Sequence, residues 1–115
     1  MKLYTYKAEL LRVVDGDTID VMIDLGFDTF RKIRIRMLGY NAPEIWRASG
    51  EELEKGLTAK KYLQEQFDKY GYDLIIESQS YDRYGRALAY VTSVNGNVNY
   101  NYLLEQFVKT LEKED

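Results

Sequence analysis

The chain contains two short charged turns whose side chains could bind ions. Asp15-Gly16-Asp17 places two carboxylates around one tight turn. Carboxylate oxygens are ligands for hard cations such as Ca²⁺ and Mg²⁺, but a solvated surface turn has the same composition. The sequence contains no histidine and no cysteine, which excludes disulfides, thiolate chemistry and imidazole catalysis. Acid–base or metal chemistry must therefore depend on carboxylates, amines, guanidiniums or phenols.

The second turn, Asp82-Arg83-Tyr84-Gly85-Arg86, combines two arginines with a glycine bend. A guanidinium presented at such a bend can bind a phosphate through two parallel hydrogen bonds. The same residues also fit a charged turn before a strand. Each turn, taken alone, leaves a functional and a structural interpretation open.

A stiff loop follows the most basic strand of the chain. Pro43 is the only proline, and its ring restrains the backbone just before Glu44. Asn41 adds a neutral side-chain oxygen, and Gly39 stands where a positive φ is expected. Alternation along the preceding strand places its cations on one face: Lys32, Arg34 and Arg36. A metal ion and a phosphate could be held together where this loop leaves the strand.

Three strands with short turns are predicted to position these residues. Residues 3–14 are rich in Tyr, Thr, Leu and Val and lead into the acidic turn. In the next strand, apolar and polar residues alternate as expected for a half-buried strand: Ile19, Asp20, Val21, Met22, Ile23 and Asp24. The basic strand is predicted over 30–38.

A helix is predicted over 57–70, with Gly71 as its C-terminal cap. Its apolar stripe comprises Ala59, Leu63, Phe67 and Tyr70. Ser49 would fit a capping box that starts the helix near residue 50. Gly56 would then lie inside the helix, where glycine is unfavourable, so 45–56 is interpreted as a surface loop.

Two short strands, at 74–76 and 87–91, and a second helix complete the predicted elements. The apolar residues of this helix share one face: Leu104, Phe107, Val108 and Leu111. With 115 residues, the chain is long enough to bury a hydrophobic core. A single domain over 1–115 is therefore expected.

Taken in order, three segments of the chain resemble the staphylococcal nuclease family. They are 14–18 (VDGDT), 36–44 (RMLGYNAPE) and 82–91 (DRYGRALAYV). The resemblance extends from about residue 8 to residue 111. It implies an α+β fold, a five-stranded OB-type β-barrel with two or three helices packed on it. The order of elements predicted above agrees with that fold.

The resemblance also implies a calcium site. Asp17 would bind Ca²⁺ directly, with Asp15 acting through water or holding the turn. Asn41 stands where the best-known members carry a second liganding aspartate, and the backbone carbonyl of Ala42 would be a further ligand. Asparagine in place of aspartate removes one negative charge from the implied site.

For catalysis, the resemblance implies that Arg36 and Arg86 bind the scissile phosphate and that Glu44 orients or deprotonates the attacking water. Arg83 and Tyr84 would bind the substrate, and Tyr84 is the candidate for stacking on a base. The implied reaction is Ca²⁺-dependent hydrolysis of DNA or RNA that leaves 3′-phosphate ends.

A rival interpretation is a non-catalytic OB-type module, derived from the nuclease fold, that binds nucleic acid or protein. The net charge of −3 opposes avid nucleic-acid binding. The presence of acidic residues and arginines at the family-matching positions favours the enzyme: Asp17, Arg36, Glu44 and Arg86. No signal peptide or membrane-spanning stretch is evident. A cytoplasmic protein with no membrane contact and no obligate protein partner is expected.

Overall fold

Five strands and two helices form an α+β barrel in the computed structural model, which describes residues 4–113. The elements are β1 (Thr5–Asp15), β2 (Thr18–Asp24), β3 (Phe30–Met37), α1 (Gly50–Tyr70), β4 (Asp73–Tyr81), β5 (Ala87–Ser93) and α2 (Tyr100–Glu112). The strands close in the order β1-β2-β3-β5-β4. This confirms the predicted five-stranded OB-type barrel, with two helices packed on it. Neither helix is long and apolar enough to cross a membrane.

One parallel pair closes the barrel. β3 pairs with β5 through Ile35 and Ala87, Arg36 and Leu88, and Met37 and Ala89, whereas every other strand pair is antiparallel. Alternation then places successive β3 side chains inside and outside the barrel. The core receives its apolar residues in this way, among them Ile19, Val21, Ile35 and Met37.

Helix α1 begins at Gly50, so the interpretation of 45–56 as a loop is wrong from residue 50 onward. Ser49 occupies the N-cap position, but its side chain makes no capping hydrogen bond. Gly56 lies inside the helix because a side chain there would collide with the loop after β3: an added Cβ would be 2.7 Å from the carbonyl oxygen of Glu44. The close approach of helix and loop therefore overrides the low helix propensity of glycine.

The remainder of α1 follows its predicted stripe. Ala59, Leu63 and Phe67 are fully buried, whereas Tyr70 is 42% exposed and does not belong to the core. Gly71 ends the helix with a φ of +114° and donates its N–H to the carbonyl of Phe67. This confirms Gly71 as the C-terminal cap.

Helix α2 ties the two strands of the closing pair together. The buried side chain of Asn101 accepts the N–H of Val91 at 2.7 Å and donates to the carbonyls of Leu38 (2.7 Å) and Ala89 (3.1 Å). These three backbone groups lie where β3 and β5 diverge, so one amide replaces the missing strand pairing. The predicted apolar face of α2 packs on the rest of the fold through Leu104, Val108 and Leu111, and Phe107 stacks on Tyr62.

Candidate active site

The acidic turn between β1 and β2 is joined to the loop after β3 through Asp17. The Asp17 side chain is buried, with one oxygen accepting the hydroxyl of Thr18 at 3.0 Å and the other accepting the N–H of Ala42 at 2.9 Å. Asp15 accepts the N–H of Asp17 at 3.0 Å, which holds the turn. Two carboxylates and the Ala42 backbone therefore meet at one place.

Asp15 and burial both disfavour the charged form of Asp17. Burial, followed by the hydrogen bond and charge of Asp15, raises the pKa of Asp17 to about 6, although Arg36 and the N–H of Ala42 oppose the rise. A buried carboxylate with a raised pKa and an acidic neighbour gains stability from an added positive charge. This place in the barrel is electrostatically suited to a cation.

Gly16 allows the turn, the loop and α1 to come together. An added Cβ would lie 2.7 Å from the Cβ of Ala42 and 2.8 Å from the Cβ of Ala59. The carbonyl of Gly16 accepts the hydroxyl of Tyr40 at 2.7 Å. Burial, reinforced by the nearby charge of Asp17, raises the pKa of Tyr40 well above its usual value, so this phenol stays a hydrogen-bond donor.

Arg36 connects the loop to the acidic turn. Its Nη2 lies 3.3 Å from Oδ2 of Asp17, 3.0 Å from the carbonyl of Tyr40 and 2.5 Å from Oδ1 of Asn41. Its Nη1 donates to the carbonyl of Met37. The guanidinium is thus held on several sides, and the side-chain oxygen of Asn41 faces a cation.

The second charged turn holds Arg86 through Asp82, a residue with no role predicted from the sequence. Asp82 accepts Nε of Arg86 at 2.7 Å through one oxygen, and the N–H groups of Tyr84 (2.8 Å) and Arg86 (3.0 Å) through the other. The Asp-x-x-Gly-Arg spacing is the signal from which this could have been found, because an aspartate at the start of a turn binds the N–H groups that follow. Asp82 orients the guanidinium through Nε, and the Nη atoms make no hydrogen bond within residues 4–113.

The aromatic ring of this turn belongs to Tyr84, which is 69% exposed. The guanidinium carbons of Arg83 and Arg86 lie 5.1 Å and 5.6 Å from the ring centre. Both distances allow cation–π attraction, which restrains the ring without covering it.

Two adjoining cavities receive the side chains of these segments. A polar cavity of about 310 Å³ is lined by Asp15, Asp17, Ala42 and the exposed Glu44. A cavity of about 510 Å³ is lined by Arg83, Tyr84 and other residues of the loop and second turn. Three residues line both cavities: Arg36, Asn41 and Arg86. The structure thus places all nine residues singled out from the sequence at one or both of these cavities.

Asp20 departs from the pattern expected for its strand. It lies on the outer face of β2, as alternation predicts, but it is only 1% exposed. Arg34 covers it through two bonds, at 2.8 Å from Nε and 3.2 Å from Nη2, and Nε of Arg12 lies 3.7 Å away. The hydrogen bond from Arg34 lowers the pKa of Asp20. Arg34 is therefore anchored to the barrel through Asp20.

The fold and site define a small OB-type barrel domain that carries acidic residues and arginines around adjoining cavities. The protein family described as Staphylococcal nuclease homologue matches residues 34–110, which include the second half of β3, all of α1, the second charged turn and most of α2. The chain belongs to the staphylococcal nuclease family.

Individual relatives agree with this assignment. Protein ParB of Escherichia coli is 31% identical over 85 residues, covering 74% of this chain and 41% of that protein. The micrococcal nuclease of Shigella flexneri is 31% identical over 86 residues, covering 75% and 42%. The thermonuclease of Staphylococcus hyicus is 34% identical over 87 residues, covering 76% and 47%. The chain spans less than half the length of each of these relatives.

Proposed function

We propose that the protein is a Ca²⁺-dependent phosphodiester hydrolase that acts on DNA or RNA and leaves 3′-phosphate ends. The observation that carries the proposal is the sharing of Arg36, Asn41 and Arg86 by the two cavities. A phosphate bound between the two arginines would have carboxylates on one side and the Tyr84 ring on the other. Membership of a family that includes proteins named micrococcal nuclease and thermonuclease supports the same activity.

The donor atoms at the polar cavity fit calcium. Asp15 and Asp17 supply carboxylate oxygens, Asn41 supplies an amide oxygen, and the carbonyl of Ala42 would complete a set of hard ligands. The raised pKa of Asp17 marks the position where added positive charge is favourable. When bound, Ca²⁺ would supply Lewis-acid stabilisation of the negative charge on the phosphate. Within residues 4–113, no group of three or more acidic residues converges on one point, so the site is poor in charge.

The two arginines and Glu44 have separate roles in the proposed hydrolysis. Arg36 and Arg86 bind the scissile phosphate and neutralise the charge that develops on its oxygens. Glu44 accepts the proton of the attacking water, whose oxygen forms the new bond to phosphorus. The bond to the 5′ oxygen breaks, and that oxygen takes up a proton from solvent. The products are a 3′-phosphate and a 5′-hydroxyl.

The aromatic side of the site binds the adjoining nucleotide. The ring of Tyr84 is exposed beside Arg83 and Arg86, and a base can stack on such a ring without sequence preference. Arg83 supplies a second positive charge for the neighbouring phosphate. This arrangement suits an unpaired strand whose bases can turn toward the protein.

The decisive experiment is cleavage of single-stranded DNA and RNA with Ca²⁺, without Ca²⁺ and with a chelator. Ca²⁺-dependent cleavage is expected, with 3′-phosphate ends identified by mass spectrometry of the fragments. Glu44→Gln is the matched control, because it removes the proposed base and keeps the arginines. Cleavage that persists at the same rate in this variant would exclude Glu44 as the base.

A non-catalytic binding module is the second candidate. It is favoured by the 2.5 Å contact in which Arg36 occupies the side-chain oxygen of Asn41, because an oxygen engaged in this way is a weaker metal ligand. This candidate predicts binding of oligonucleotides without cleavage under any of the three conditions.

A further inference from the structure

The outer face of β3 carries a row of side chains that leads away from the polar cavity. Phe30, Lys32, Arg34 and Arg36 alternate with residues that point into the barrel, such as Ile35. Successive members of the row are separated by two residues, or about 6.6 Å. This step is on the scale of the distance between neighbouring phosphates in an extended nucleic-acid strand. Because Arg36 ends the row, the row is continuous with the proposed cleavage site.

The row remains positively charged despite the buried carboxylate beneath it. Asp20 lies opposite Arg34 on β2 and is shared by Arg34 and Arg12. One carboxylate thus faces two guanidiniums, and Lys32 adds a third cation nearby. Lys32 is exposed and has no ion-pair partner among residues 4–113. Anchoring by Asp20 also fixes the Arg34 guanidinium, which lowers the entropy lost when it contacts a ligand.

The far end of the row suits a base better than a phosphate. Phe30 is 59% exposed and borders a cavity of about 340 Å³, which also contains the apolar side chains of Leu11 and Met22. The same cavity is lined by one lysine, Lys7, and by three acidic residues: Glu9, Asp24 and Asp73. These carboxylates repel phosphate but can accept hydrogen bonds from the amino groups of a base. The ring of Phe30 offers a stacking surface next to them.

We propose that the outer face of β3 is an extended binding track for single-stranded polynucleotide, with phosphates on Lys32 and Arg34 and a base on Phe30. The inference rests on the proposed function, which it deepens by naming the substrate class as an unpaired strand several nucleotides long. A duplex is disfavoured, because stacking on Phe30 requires an unpaired base. Charge complementarity and continuity with the cavity shared by Arg36 and Arg86 select nucleic acid as the occupant.

Binding of labelled oligonucleotides to the Glu44→Gln protein tests the track independently of cleavage. Fluorescence anisotropy would compare a dinucleotide with a strand of about ten nucleotides, a length within the range that one OB fold covers. The longer strand should bind more tightly. Lys32→Ala should weaken only the longer strand and reduce the slope of log affinity against log salt by about 0.7, the share of one phosphate contact. Phe30→Ala should weaken the longer strand roughly five- to a hundredfold.

The matched control is Lys61→Ala, because Lys61 is an exposed lysine on α1 that lines none of the cavities described above. It should leave both affinities and the salt slope unchanged. Equal weakening of the dinucleotide and the longer strand by Lys32→Ala would overturn the track. An unchanged affinity of the Lys32→Ala protein for the longer strand would also overturn the track. Displacement of that strand by an acidic peptide at equal charge concentration would overturn it as well.

The outcomes separate this inference from the proposed activity. Cleavage by the native protein together with no effect of Lys32→Ala on length-dependent binding would overturn the track and retain the nuclease. Absence of cleavage with length-dependent binding that requires Lys32 and Phe30 would retain the track and overturn the nuclease. Absence of both would overturn both.

Discussion

Gly56 fixes the position of the loop that carries Glu44. An added Cβ at Gly56 would lie 2.7 Å from the carbonyl oxygen of Glu44, 3.0 Å from that of Pro43 and 2.9 Å from Cγ1 of Ile45. The two carbonyl oxygens belong to the backbone and cannot move away by a rotamer change. Gly56→Ala should therefore shift the loop relative to α1, and with it the carboxylate of Glu44.

Stability and activity should respond to this substitution by different amounts. Alanine is favoured over glycine inside a helix by about 1 kcal/mol, whereas overpacking destabilises by about 1–3 kcal/mol. The expected net loss of unfolding free energy is about 0–2 kcal/mol. A displacement of about 1 Å at a reacting group can lower the rate about 100-fold, so a shift of roughly half that distance predicts a fall in kcat of about tenfold or more.

The assay is kcat on single-stranded DNA with Ca²⁺, measured beside the thermal unfolding midpoint. Leu57→Ala is the matched control, because Leu57 follows Gly56 on the same helix and is 48% exposed. The Leu57→Ala protein should have an unchanged kcat and a nearly unchanged unfolding midpoint. A Gly56→Ala protein with a lowered midpoint but an unchanged kcat would show that the clash is absorbed by the helix, and the positioning argument would be wrong.

Four further results are expected. Glu44→Gln should lower kcat about 10²–10⁴-fold while the far-UV circular dichroism is retained, and near-native turnover would remove Glu44 from the mechanism. Arg36→Lys should severely reduce kcat/KM on a short substrate, because lysine cannot make planar paired contacts; an effect no larger than that of Arg34→Lys would indicate general attraction. Arg34→Lys should instead lower stability, since it disrupts the two-bond contact with buried Asp20. Arg34 lowers the pKa of Asp20 in the folded protein. The stability difference should therefore be complete above the unfolded-state pKa of about 3.9 and disappear as the pH falls through the lower folded-state pKa. Unfolding curves at several pH values would measure this dependence. Asn41→Asp should tighten Ca²⁺ binding in calorimetric titrations by restoring a charge, and an unchanged affinity would exclude Asn41 as a ligand.

Much of the fold could be predicted from local patterns. The alternation over β2 and β3, the stripe on α1 and the cap at Gly71 each depend on residues close in sequence. The structure contains all of them, except that Tyr70 does not belong to the buried stripe. The resemblance of three segments to the staphylococcal nuclease family implied an OB-type barrel, and the order of these elements agreed with it. Local patterns succeed here because each of these features has its physical cause within one or two turns of chain.

The features that were missed have distant causes. Gly56 was placed in a loop because glycine has a low helix propensity. Its close contact with the Glu44 carbonyl, which explains the glycine, joins segments that only the folded chain brings together. Asp20 was expected on the exposed face of a half-buried strand, but the guanidiniums of Arg34 and Arg12 cover it from neighbouring strands. Asn101 gave no sequence signal, because its partner Leu38 is 63 residues away. Tertiary contacts of this kind cannot be read from periodicity.

The parallel pairing of β3 with β5 has a consequence for the time at which the two shared cavities can form during synthesis. A chain made only as far as β4 already contains Asp17, Arg36 and Glu44, but it lacks Arg86, the closing strand and the Asn101 amide that holds that strand to Leu38. Non-local pairings form late, because the entropy of closing the intervening chain must be overcome first. A nascent chain therefore brings Arg36 and Arg86 to the two cavities that they share only after β5 and α2 have been made.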